Sequence, residues 1–137
     1  VAWDGSYTGA FAGSAEAVRC LDQRLVEVLA FRGDSGAGFV LWLEDSVRTI
    51  AYPVFNAAPA EQRPGAGAAV RWFSETRVTG FEGVGGLVTV ESPAGATCTR
   101  RRDPRLRGLG PPEPLRLTGT FRGVPVRADS TCPVRRF

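Results

Sequence analysis

The chain has 137 residues, 43% hydrophobic and 23% charged, which suits one globular domain with a core of its own. Its 17 basic residues are all Arg, set against 14 acidic ones for a net charge of +3, and His, Lys and Met are absent. That excludes a histidine general base, a Ser-His-Asp triad, a His-ligated zinc or haem and a lysine Schiff base.

The first segment alternates strictly. Trp3, Tyr7 and Phe11 share one face with Gly5 and Gly9, while Asp4, Ser6 and Thr8 point the other way, the period of a half-buried strand. Residues 15–31 hold good helix formers, and Val18, Leu21, Leu25, Val28 and Leu29 recur at spacings of three and four. With Ser14 as N-cap and Gly33 as the stop, this predicts a helix over 15–31. The competing reading is a hairpin turning at Leu21-Asp22-Gln23-Arg24.

Beyond this point the pattern is β. Gly33 to Gly38 reads as a loop, and apolar runs at 39–43 and 47–55 read as a hairpin around Glu44-Asp45-Ser46. Residues 56–67 are rich in Ala, Pro and Gly and predict a long exposed connection. Strands follow at 70–79 and 87–91, the second after a Gly83-Val84-Gly85-Gly86 turn that lacks the Lys-Ser/Thr of a phosphate-binding loop. Residues 100–114 form an Arg- and Pro-rich excursion too polar for a core element. Runs at 115–121 and 124–128 predict a hairpin over Arg122-Gly123, with Pro125 confining the last strand to an edge. A Thr-Gly-Thr-Phe echo at 118–121 of the Thr8 to Phe11 stretch suggests that the first strand and a late one are neighbours. The expected fold is therefore mainly β: one domain, an antiparallel sandwich or barrel of about 6–8 short strands, with one candidate helix at 15–31.

Charge is unevenly spread. Residues 1–99 sum to −4 and residues 100–137 to +7. Arg100, Arg101 and Arg102, followed by Arg105 and Arg107, make the densest cluster. Stacking aromatics are missing from 95–114, which argues against specific nucleic-acid binding. Arg pairs bidentately with carboxylates, so an acidic protein face is the expected partner, with peripheral contact to anionic lipid as a lesser option. No apolar run approaches the ~18 residues of a membrane-spanning helix. The Val1 start without Met reads either as a mature form whose export signal has gone or as a trimmed chain; the first reading, with a bacterial source, places it in the periplasm, at the cell surface or outside the cell.

Cys20, Cys98 and Cys132 are widely spaced and include no CxxC motif. In an exported chain two of them pair, and Cys98 with Cys132 is the expected disulfide because both flank the basic excursion. Arg32-Gly33-Asp34 spells a cell-adhesion tripeptide that a Gly- and Arg-rich chain produces by chance. Glu44-Asp45, Glu75, Glu82 and Glu91 are the carboxylates from which a hydrolase would have to draw an acid–base pair. Leu41-Trp42-Leu43 and Arg71-Trp72-Phe73 put large apolar groups on both faces of a strand, so a second layer or a partner must cover one of them.

The leading expectation is an exported, non-catalytic β-domain acting through protein–protein contacts or self-assembly. It would serve as an accessory subunit of a cell-envelope complex or extracellular assembly, with Trp42, Trp72, Arg100, Arg101, Arg102, Arg105 and Arg107 as contact residues and no cofactor or metal. The alternative is an apolar-ligand cavity lined by Trp3, Tyr7, Phe11 and Trp42. A small carboxylate-dependent hydrolase comes third.

Overall fold

The computed structural model describes residues 2–5, 9–10, 12–56, 62–74, 77–92, 96–99, 105–108, 114–130 and 132; these form strands and turns, with no helix among them. The larger sheet contains β1 (Ala2–Gly5), β2 (Gly9–Ala10), β3 (Ala15–Cys20), β4 (Leu25–Arg32) and β5 (Ser35–Trp42). It also contains β7 (Gly65–Ser74), β8 (Arg77–Gly85), β11 (Arg105–Gly108), β12 (Pro114–Thr118) and β14 (Val126–Asp129). The smaller sheet is built from β6 (Ala51–Pro53), β9 (Leu87–Ser92), β10 (Ala96–Thr99) and β13 (Thr120–Val124). Spatial order is β14-β3-β4-β5-β7-β8-β11-β12-β1-β2 in the ten-stranded sheet and β13-β10-β9-β6 in the four-stranded one. Every neighbouring pair is antiparallel except β14 with β3, which run parallel. The large sheet is mixed and open, not a barrel, and it holds more strands than the residue pattern alone implies.

The 15–31 stretch is the hairpin, not the helix. β3 and β4 pair from Ala15↔Ala30 to Cys20↔Leu25 around a turn at Leu21 to Arg24, where Arg24 has φ 50°. The helical stripe arises because β4 is buried on both faces: Leu25 and Leu29 lie on one, Val26, Val28 and Ala30 on the other. Two period-two patterns laid over each other imitate a period of 3.6. Leu21, which the stripe would bury, is 51% exposed at the turn.

Glycine and proline carry the chain between sheets. β8 runs into β9 through Gly86 (φ 113°), so one length of chain begins in the large sheet and ends in the small one. β12 passes to β13 at Gly119, and β13 passes to β14 at Pro125. Consequently 115–121 and 124–128 are not a hairpin, although β14 is the edge strand that Pro125 implied. The 39–43 and 47–55 runs do not pair either, since β5 lies between β4 and β7 while β6 pairs with β9. The 70–79 run spans parts of both β7 and β8, which pair as a hairpin. β1 and β12 are neighbours, with Trp3 opposite Leu117.

Two buried clusters lie on the inner face of the large sheet. The larger packs Val26, Val28, Phe39 and Leu41 of β4 and β5 against Tyr52, Val88, Val90 and Val124 of the small sheet's side. The smaller joins Ala30, Ala37, Val70 and Phe81 to Leu117 of β12. Because β4 and β12 are far apart in strand order yet share a cluster, the large sheet curls around its own inner face. Ala15 and Phe121 touch both clusters, and Phe121 meets Phe39 edge-on with ring centroids 5.3 Å apart.

Candidate functional site

The outer face of β4, β5 and β7 is mainly apolar, with Glu27 in its midst opposite Val40, and several of its large side chains lie down on the sheet. Register places Leu29 opposite Gly38, Phe31 opposite Gly36 and Trp42 opposite Gly65. A Cβ added to Gly38 would stand 2.6 Å from Leu29 Cδ2, and one on Gly36 would stand 3.1 Å from Phe31 Cδ1. On Gly67 it would stand 2.7 Å from Trp42 Cη2, so the indole leans across onto β7. The glycines that composition marks as loop are therefore strand residues forming the floor under these groups. Leu29 is buried over Gly38 and Leu25 is buried between register partners Cys20 and Trp42, whereas Trp42 and Val40 are half-buried and Phe31 and Val78 are 43% and 55% exposed. The described neighbours of β4, β5 and β7 include their hydrogen-bonded strands, the small sheet on the inner side and, over Gly65 on the outer side, the Phe55 ring and the Gln62 carbonyl. Glu16, Arg71 and Glu82, all exposed, give the surrounding rim both signs of charge, and Arg71 stacks over Phe73 at 5.1 Å.

The expected contact residues do not form one surface. Trp42 belongs to this outer face, but Trp72 packs against the inner cluster of Val70 and Phe81. Arg105 and Arg107 are not in a loop: β11 is an interior strand with Arg105 opposite Gly85 and Arg116, and Arg107 opposite Glu82 and Pro114. Arg100, Arg101 and Arg102 lie outside the described residues, as do Tyr7 and Phe11 of the expected cavity. Trp3 is placed by its backbone in β1, and Trp42 sits on the outer side, away from the interior.

The disulfide joins Cys20 to Cys132, not Cys98 to Cys132, with Cα atoms 5.6 Å apart. The parallel register brings Asp129 beside Cys20, so three further residues carry Cys132 to the β3–β4 turn. Cys98 occupies β10 opposite Val90 and Phe121. The turn is held from two further directions. Leu21 N–H donates to Asp129 O at 3.0 Å, and Gln23 Nε2 donates to Cys132 O at 2.7 Å.

Arg63, which nothing in the residue pattern singled out, closes the same end of the sheet. Its guanidinium donates to three carbonyls: Arg24 at 3.0 Å, Leu43 at 2.6 Å and Gln23 at 2.9 Å. Burial, and then the neighbouring charge of Arg24, push its pKa below the usual arginine value, yet a guanidinium stays protonated in a protein. A planar fork suits several backbone oxygens at once, which the point charge of a lysine does not. A lone Arg in an Ala-, Pro- and Gly-rich stretch was the available signal.

Glu44 pairs with Arg48 at 2.9 Å on the surface, while Glu82 and Glu91 are exposed in different sheets; Glu75 lies outside the described residues. Arg32-Gly33-Asp34 forms the exposed β4–β5 turn, with Gly33 at φ 58° as its first central residue. Among the described residues no group of three or more His, Cys, Asp or Glu could hold a metal ion, and no helix is long and apolar enough to cross a membrane. No family model, curated protein or solved structure matches the chain.

Proposed function

We propose that this chain is an exported, non-catalytic β-domain that works by protein–protein contact, as a subunit of a cell-envelope or extracellular assembly. The contact is made by the outer face of β4, β5 and β7, and the partner is a protein surface that is flat and mainly apolar, with charges of both signs. The observation that carries this reading is the exposure of Phe31 and Val78 at one end of this face, with half-buried Trp42 at the other. Phe31 and Trp42 lie over Gly36 and Gly67, and charged residues of both signs, Glu16, Glu27, Arg71 and Glu82, share the face with them. The Cys20–Cys132 disulfide supports an oxidising compartment.

The test uses substitutions at positions already exposed. Phe31→Glu and Val78→Glu should leave the melting temperature within a few degrees of wild type and abolish recovery of the partner from native envelope extracts. The same extracts must yield one stoichiometric partner with the unaltered chain. Equal recovery with both variants, or a unaltered chain that light scattering shows to be monomeric and partnerless in them, would overturn the reading.

A further inference from the structure

A cleft of about 480 Å³ opens where the two buried clusters meet, between the β2–β3 connection and β13. Most of its lining residues are exposed, so it is an open surface cleft, and the residues along one side of it are small. Ala12, Gly13 and Ala15 on one side cannot reach across to β13, and Ala30 behind them adds only a methyl group. Its volume lies within the ~300–1,000 Å³ of small-molecule sites.

The lining has two parts. Ala15, Ala30, Phe121 and Val124 supply an apolar floor, while Thr120 and Arg122 stand exposed at the mouth. No hydrogen bond or ion pair engages the Arg122 side chain among the described residues. A purely hydrophilic anion would leave the floor unused, and a neutral apolar molecule would leave the cation unused. We propose that this cleft binds a small amphipathic anion, a carboxylate on a short apolar tail, with the tail on Phe121 and Val124 and the carboxylate on Arg122. Guanidinium and carboxylate match bidentately at the mouth, and apolar burial holds the tail below.

Calorimetric titration with octanoate, octan-1-ol and octylammonium tests this directly. Octanoate should bind saturably at one site and raise the melting temperature, the alcohol more weakly and the ammonium not at all. Arg122→Gln removes only an exposed charge and should weaken octanoate about tenfold while leaving the alcohol unchanged. Thr120→Phe, also at an exposed position, should close the mouth and weaken both. Absence of saturable octanoate binding, equal binding of octanoate and octylammonium, or full affinity in both variants would overturn the proposal. Phe31→Glu, on the opposite face of the sheet, should leave octanoate binding intact, so this site and the protein contact are tested separately.

Discussion

The two faces of β4, β5 and β7 are built from similar residues and reach dryness differently. On the inner face Val26, Val28, Phe39 and Leu41 pack against side chains of a second sheet. On the outer face Leu29, Phe31 and Trp42 lie against their own sheet, over Gly38, Gly36 and Gly67. A hydrophobic side chain needs neighbours at contact distance, and a glycine floor supplies them on one side only. Leu41 is fully buried between the sheets and Trp42, the next residue, is half-buried over Gly67, although Leu29 over Gly38 is buried as well.

The largest expected effect concerns the corner where the outer face is sealed covalently. Cys132→Ser removes a bond closing a loop of more than 100 residues and should cost about 4 kcal/mol in the chain-entropy account, read by urea unfolding. Cys98→Ser should leave the disulfide intact, which peptide mapping under non-reducing conditions checks.

Leu41→Ala on the inner face should cost about 3 kcal/mol, since it opens a void between two sheets. Val40→Ala on the outer face should cost under about 1 kcal/mol; equal losses would mean that the two faces are equally covered.

Gly38→Ala tests the floor itself. The new Cβ would stand 2.5 Å from the Val28 carbonyl as well as against Leu29, so it should destabilise by about 2 kcal/mol. Gly85→Ala meets nothing within 4 Å and should stay within about 0.5 kcal/mol of wild type. The smallest effect on stability, under about 0.5 kcal/mol, is expected for Phe31→Glu, whose consequence appears in partner recovery instead.

Legibility followed the same division. Alternation and turn residues make a β-domain readable, and the hairpin turn at Leu21 to Arg24 was one of two readings that 15–31 allowed. The choice could not be made locally, because the second buried face of β4 depends on residues of other strands, Gly38 beside Leu29 and Trp42 beside Leu25. Gly36 and Gly38 read as loop for the same reason: their role is to leave room for side chains on the next strand. β11 was hidden by its arginines and neighbouring prolines, although a strand is decided by available partners as much as by composition. Trp42 and Trp72 were legible as anchors but not as residues of opposite faces, which depends on register.

Taken alone, the residue order determines the β class, the glycine and proline breaks, the absence of histidine chemistry and the imbalance of charge between the two parts of the chain. Tertiary structure decided which cysteines meet, which sheet each strand joins, and where a cleft remains. These depend on contacts between residues far apart in the chain. Cys20 and Cys132 are separated by 112 positions, and only the parallel docking of β14 on β3 brings them together. Local propensity acts over a few residues, and pairing across that distance is settled by which surfaces bury one another.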